Sequence, residues 1–424
     1  MQAYIAIIVF LIVYALILSE KVHRTIAALI GGMILILSGV LAQETAIEHI
    51  DFNTLGLLVG MMIVVGITRK TGVFEYLGLK AVRMAKGEPI RILIALASVT
   101  ALLSAFLDNV TTVLLIVPIV FSINEKLKLN IIPFLIAMIF ASNIGGTATL
   151  IGDPPNIMIG SQTHLGFMDF IWNLAPVILV IHVATMAVFY FIYRHKMQIS
   201  KELKADLMKI DPLLAIKDSA LLRKCLVVLS LILIGFFTHQ ALHLESATIA
   251  LSGGVLLMFI AKEEPEEVLL SVEWPSIFFF IGLFIVVGGL IETGIIDSLA
   301  KLAMTATAGN LKLTGMLILW FSAIASAFVD NIPFVATMIP LIHTMGTLGG
   351  ISPTGLEPFF WALSLGACLG GNGTLIGASA NVIVAGMAEK NGTHIRFIPY
   401  MIFAFPLMLL SVFISMVYLL IFYF

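Results

Sequence analysis

The sequence predicts an all-α polytopic membrane protein made of two inverted repeats, each with five spans (one of them a broken helix) and one re-entrant hairpin. Three observations carry this reading. Residues of the AVILMFWYC set make up 60% of the 424 residues and charged residues only 11%, with a mean hydropathy of +1.10. A soluble domain carries about 25% charged residues, and a globule with so little charge would expose large apolar patches to water. The apolar residues gather into runs close to the roughly 20 residues that a helix needs to cross a bilayer. The third observation is that the two halves carry the same motifs in the same order.

Taken along the chain, full-length spans are expected at Ala3–Leu18, Thr25–Leu41, Phe52–Thr68, Phe170–Tyr193, Cys225–Leu242, Ala247–Ala261, Trp274–Ile291 and Pro399–Ile421. The start, Met1-Gln2-Ala3-Tyr4, has no basic n-region, so the first run reads as a retained span. Ile90–Ser122 and Leu313–His343 are each too long for one crossing and are interrupted near the middle by Asp-Asn. They read as hairpins. Ile131–Ser161 and Pro358–Glu389 are also long, and glycines and Asn interrupt them. They read as broken helices.

Loop charge orients the chain. Lys21 and Arg24 follow the first span, six basic residues from Arg69 to Arg91 follow the third, and the 194–224 segment is rich in Lys and Arg. The loop holding Glu44, Glu48 and Asp51 has no basic residue. The positive-inside rule then places the N-terminus outside and the 194–224 segment in the cytoplasm. It also places the mostly acidic 262–273 loop inside, which the rule tolerates because acidic residues count little. The expected units are residues 1–196, a cytoplasmic linker 197–223, and residues 224–424, in a multi-pass protein of the inner (cytoplasmic) cell membrane.

The repeat is explicit. At an offset of about 222, Gly60, Gly66, Thr71 and Gly72 meet Gly282, Gly288, Thr293 and Gly294, and Ser104-Ala-Phe-Leu-Asp108-Asn109 meets Ser326-Ala-Phe-Val-Asp330-Asn331. At an offset of about 225, Gly145-Gly146 meets Gly370-Gly371, Thr149-Leu-Ile-Gly152 meets Thr374-Leu-Ile-Gly377, and Asn156 meets Asn381. Five crossings per half is an odd number, so the second copy is inserted upside down. Inverted repeats with interrupted helices at matching positions are the architecture of secondary transporters, whose site lies at the repeat interface.

Two sets of residues are candidates for that site. Asp108-Asn109 and Asp330-Asn331 stand where the hairpins turn, and an ionisable residue at membrane depth normally faces protein or a wet cavity. The competing reading is a plain N-cap at a buried turn. The second set lies in Asn143-Ile-Gly-Gly-Thr147-Ala-Thr149-Leu-Ile-Gly-Asp153-Pro-Pro-Asn156 and Gly-Gly-Asn372-Gly-Thr374-Leu-Ile-Gly-Ala-Ser379-Ala-Asn381. Glycine and proline unwind a helix here, and unwound backbone at depth has to line a cavity or be buried in protein. The expected substrate residues are Asn109, Thr111, Asn143, Thr147, Thr149, Asn156, Asn331, Asn372, Thr374 and Asn381. The expected coupling carboxylates are Asp108, Asp153 and Asp330. Asp153 aligns with Ala378, so it is either the coupling carboxylate or a structural cap after Gly152. His182 and His343 read as helix–helix hydrogen-bonding residues ahead of a proton relay, and Cys368 as packing ahead of a metalloid ligand.

Other classes are disfavoured. With Lys+Arg 23 against Asp+Glu 25, no nucleic-acid partner is expected. Cys225 and Cys368 form no disulfide framework or zinc motif. No P-loop is present, so the chain is not expected to hydrolyse ATP itself. No enzyme activity, metal site or cofactor is expected.

On the paired Asp-Asn tips and the paired Gly-Gly…Thr-Leu-Ile-Gly…Asn breaks, with Gly-Asp-Pro-Pro-Asn in the first half, the chain resembles the ion transporter superfamily. Within it the chain is similar to the ArsB/NhaD/P-protein group. The resemblance covers essentially the whole length and implies an efflux or exchange carrier, with relatives that are often homodimers. The first expectation for function is arsenite or antimonite efflux coupled to the proton gradient, with a soluble ATPase as a further partner to test. A neutral trihydroxide suits a lining of amides and hydroxyls. The alternatives are a sodium/proton antiporter, since a sodium ion suits carbonyls plus a carboxylate, and an anion transporter, which the lack of a basic residue in the motifs weakens.

Overall fold

A computed structural model describes residues 1–424 apart from 20, 201–202, 205–207 and 210. The first half runs α1 (Gln2–Ser19), α2 (Arg24–Leu37), α3 (Gln43–Glu48), α4 (Phe52–Lys70), α5 (Val73–Met84), α6 (Pro89–Ser104), α7 (Asn109–Leu127), α8 (Ile132–Gly146), α9 (Pro154–Ser161) and α10 (Phe167–Tyr193). The second half repeats the series: α11 (Ser219–Leu242), α12 (Ser246–Ala261), α13 (Pro265–Leu269), α14 (Trp274–Glu292), α15 (Ile295–Ala306), α16 (Leu311–Phe328), α17 (Asn331–Gly349), α18 (Pro353–Gly370), α19 (Ser379–Lys390) and α20 (Phe397–Phe422). Among the described residues each half therefore has ten α-helices in the same order.

Their directions are opposite. The Lys217 amide donates to the Thr71 carbonyl at 2.9 Å, so α4 ends on the face that carries the 194–218 linker. Lys70 at that end pairs with Glu263 and, at 3.7 Å, with Glu267, in the segment that leads into α14. The counterpart of α4 therefore starts where α4 stops. On the far face, the Gln240 amide donates to the His164 carbonyl at 3.3 Å and to Asp169 at 2.9 Å, which joins the end of α11 to the start of α10.

The halves interlock by exchanging partners: α2 packs on α14, and its counterpart α12 packs on α4. Each hairpin lies on its own broken helix, α6 on α8 and α16 on α18, while its returning leg meets the break of the other half, α7 on α19 and α17 on α9. Among the described residues nine helices are long and apolar enough to cross a membrane, including α7, α16 and α17. Length alone would count those legs as crossings. They are hairpin legs because both tips end inside the molecule, with Asn109 and Asn331 buried at the breaks.

Burial separates the inner helices from the outer ones. In α8 every residue from Pro133 to Gly146 is buried, which explains why it is apolar all round until Ser142 and Asn143 at its inner end. α10 instead exposes Trp172, Leu179, Val183 and Phe191 while burying Phe170, Ile181 and Phe189, the pattern of a helix with one side in lipid. The charged stretch after α4, read from sequence as a loop, contains α5. Its buried Phe74, Gly78, Ala81 and Val82 recur at helical spacing, so one stripe packs down while Lys80 and Arg83 point away.

Candidate functional site

Both hairpin tips are built alike. Asp108 Oδ1 accepts from the Thr111 amide at 2.7 Å and its Oδ2 accepts from the Thr111 hydroxyl. Asp330 Oδ1 accepts from the Ile332 amide at 3.1 Å. The tips are thus true N-caps, with amide residues Asn109 and Asn331 opening the returning legs. A second set of bonds pins each hairpin to its break. Ser104 donates to the Ser142 carbonyl at 2.7 Å, and Ser326 to the Ala367 carbonyl at 2.6 Å. Thr149 donates to the Ala105 carbonyl, and Thr374 to the Ala327 carbonyl.

The unwound segments are held by asparagine. Asn156 Nδ2 donates to the Thr147 and Thr149 carbonyls at 3.1 and 2.9 Å. Asn381 Nδ2 donates to the Gly371 and Thr374 carbonyls at 2.7 and 2.9 Å. These amides satisfy the carbonyls that unwinding orphans, which buried backbone requires. Asn143 joins the halves: its Nδ2 donates to Asn372 Oδ1 at 3.0 Å and Asn381 Oδ1 at 2.9 Å, and its Oδ1 accepts from Asn109 Nδ2 at 3.3 Å.

The residues expected at the site therefore divide in two. Asp108, Asn109, Asp153 and Asn331 line a central cavity of about 20 Å³, which holds about one water. The hydroxyls of Thr111, Thr147, Thr149 and Thr374 are engaged by protein acceptors, that of Thr147 by the Asn143 carbonyl at 2.7 Å. The Asn156 and Asn381 amide nitrogens serve the breaks themselves. Asp153 is completely buried and its side chain makes no capping bond at the start of α9. It stands at the N-cap and accepts from the Asn156 amide through its backbone carbonyl at 2.9 Å, so the cap there does not use the carboxyl. Its two oxygens instead accept from Asn331 Nδ2 at 3.3 and 3.4 Å, across the interface between the halves.

Two site residues escape a reading by motif. Arg24 pairs with Asp330 Oδ2 at 3.0 Å and also donates to Ser379 and, at 3.3 Å, to Ser276. Glu273 lines the same central cavity. Burial, with the Asp108 charge adding to it and Arg24 opposing, raises the Glu273 carboxyl above its ordinary range. Both residues lie in segments counted only as loop charge. The usable signal was that Arg24 opens a span while its counterpart is Ser246, with no charge. The absence of a basic residue in the motifs is thus corrected in space by Arg24. His182 makes a helix–helix bond with Ser98 at 3.1 Å, and His343 one with the Gln162 carbonyl at 3.0 Å. Cys368 is buried with its thiol 3.7 Å from Asn156 Oδ1.

Residues 14–366 match the model of a family described as citrate transporter. The chain belongs to that family, and with it to the ion transporter superfamily. It is 44% identical to an uncharacterized transporter of Mycobacterium tuberculosis over 93% of this chain and 92% of the relative. It is 34% identical to the P protein of Homo sapiens over 96% of this chain and 58% of that protein. Among solved structures, the Alcanivorax borkumensis YdaH transporter superposes with a TM-score of 0.61 over 88% of this chain and 86% of that one, at 14% identity. That likeness concerns the fold. Together these make the chain a multi-pass membrane transporter.

Proposed function

We propose that this family member is a secondary active exporter that exchanges a small hydroxylated solute for protons, with arsenite and antimonite as the cargo and Asp153 as the coupling carboxylate. The observation that carries the proposal is the setting of Asp153. It is fully buried, its side chain caps nothing, and its donors are two neutral groups of the opposite half, the Asn331 amide and the Cys368 thiol. An ionised carboxylate in such a place has to meet a positive partner, and a proton arriving by alternating access would serve. For the cargo, the central amides offer neutral hydrogen bonds, and Asn372 Nδ2 is buried without an acceptor among the described residues. A hydroxyl oxygen would complete it.

The second reading is sodium/proton exchange, favoured by the carboxylates Asp108, Asp153 and Glu273 on the cavity lining, but among the described residues no three acidic, His or Cys side chains group closely enough to hold a metal ion. Citrate, from the family description, is less well served. Arg24, the basic residue that lines the central cavity, is already paired with Asp330, while Asp108, Asp153 and Glu273 line the same space. The loop charge supports a cytoplasmic-membrane location with the linker inside.

The test is uptake into everted vesicles under an imposed pH gradient, with arsenite, antimonite, sodium and citrate offered separately. Arsenite and antimonite should accumulate in a gradient-dependent way, and Asp153→Asn should abolish this while the protein stays in the membrane. Uptake of sodium alone would establish the second reading, and uptake of citrate alone would overturn both.

A further inference from the structure

The central cavity has a larger neighbour on the linker side. A vestibule of about 590 Å³ lies below it, lined by Val22, His23, Asp330 and Ile383 among others. Arg24, Glu273, Ser276 and Ser379 line both spaces, so they form the wall between them. Arg24 is the residue that closes that wall. Its guanidinium binds Asp330 at the second hairpin tip, Ser379 at the start of α19 and Ser276 near the start of α14, while resting 5.0 Å above the Phe279 ring. Ser379 also donates to Asp330 Oδ2 at 2.9 Å. One side chain of the first half thus ties together three elements of the second.

The opposite face has the matching vestibule, about 340 Å³, lined by His239, Gln240, Leu244, Ser246 and Asn53. At the repeat offset these stand for Ile17, Leu18, Val22, Arg24 and Pro275. The mate of Arg24 there is a serine, and the first hairpin tip, Asp108, does not line that space. Among the described residues the wall holds an ion pair on the linker side, whereas on the opposite side the buried Asp51, at the counterpart position of Glu273, accepts from the Ser161 hydroxyl at 2.7 Å.

We propose that Arg24 is a one-sided latch between the central cavity and the linker-face vestibule: a positioning residue that must release Asp330 before cargo passes on that side. This rests on the transport reading, but the latch can be read without any cargo. An ion pair of which Arg24 is a quarter exposed and Asp330 about a tenth is shielded from water yet close enough to it to reopen. Planar guanidinium geometry matters here, since three acceptors on different elements are met at once.

The experiment places one reporter thiol, Val110→Cys, on the central cavity wall of the full chain carrying Cys225→Ser and Cys368→Ala. A membrane-impermeant maleimide is then applied from the linker face. Arg24→Gln should speed labelling by about five- to tenfold, the size of a typical coupling between sites. Arg24→Lys should speed it less, and Ser246→Ala should leave it unchanged. Asp330→Asn weakens the same pair from the other side and should also speed labelling, which decides the matter if the Arg24→Gln protein does not insert. Unchanged or slower labelling in whichever of these inserts, or equal acceleration by Ser246→Ala, would overturn the latch. Failure of every cargo in the vesicle assay would instead sink the transport reading and leave these labelling rates as they are.

Discussion

At the first break Asp153 precedes α9 with φ −145° and ψ 134°, and at the second Ala378 precedes α19 with φ −150° and ψ 146°. The backbone is the same and the side chain is not. A methyl group is therefore sufficient for the fold at this position, and the carboxyl of Asp153 answers to something else. The same contrast recurs around it. The pinning bonds of Ser104, Thr149 and Asn156 are repeated by Ser326, Thr374 and Asn381, whereas Asn143 faces Cys368, Thr147 faces Asn372, and Arg24 faces Ser246. Residues that hold the breaks open are duplicated. Of the groups that give the centre its charge, Asp153 and Arg24 are single copies, whereas Asp108 is repeated by Asp330 and Glu273 by Asp51.

The strongest way to break this comparison is to make the first half resemble the second. Asp153→Ala should insert and fold like the parent, because Ala378 already occupies the equivalent backbone, but transport should fall to the level of empty vesicles. Normal transport by that variant would return the coupling role to Asp108 or Asp330.

A test of the frame comes next in size. A Cβ on Gly60 would lie 2.4 Å from the Ala250 carbonyl carbon and 2.6 Å from the Leu251 nitrogen; on Gly282 it would lie 2.5 Å from the Ala28 carbonyl carbon and 2.6 Å from the Leu29 nitrogen. These are the two crossings by which the halves interlock, and backbone cannot yield as a side chain can. Gly60→Ala and Gly282→Ala should each cost stability near the top of the ~1–3 kcal/mol range for overpacking. Thermal unfolding in detergent measures it, and a large loss at only one of the two would show that the crossings are not equivalent.

Much of this was legible in the sequence for a physical reason. Spans, hairpins and breaks write themselves as long apolar runs cut by Asp-Asn or Gly-Gly, and a repeat displays its register by identity. The amphipathic α5 was obscured by its basic residues, which read as loop charge. At the site, motif reading gathered the correct segments but could not divide their polar groups. Thr149 and Thr374 look like ligands in sequence, and only geometry reveals that their hydroxyls are taken by the Ala105 and Ala327 carbonyls. Arg24 was invisible as a partner of Asp330 because the two are 306 residues apart.

Those two threonines give a smaller, symmetric test. Thr149→Val and Thr374→Val keep the shape but remove one buried hydrogen bond each, so each should destabilise by about 1 kcal/mol, with more if the freed carbonyl finds no donor. The two losses should be similar, with transport impaired far less than by Asp153→Ala. Unequal losses would mean that one hairpin is held more tightly to its break than the other.

The smallest effect is expected at His182. Its helix, α10, corresponds to α20, whose sequence from Phe397 to Phe422 contains no histidine. Its Nε2 bonds Ser98, an exposed residue of the first hairpin, at 3.1 Å, and its Nδ1 has no partner among the described residues. A proton relay needs an onward partner toward Asp153, and this pair points to the outer surface. Hydrogen bonds between membrane helices average about 0.6 kcal/mol. Ser98→Ala and His182→Gln should therefore lower thermal stability only slightly and leave proton-coupled transport intact. If His182→Gln uncoupled cargo movement from the pH gradient, the charge asymmetry would extend beyond the two breaks and into α10.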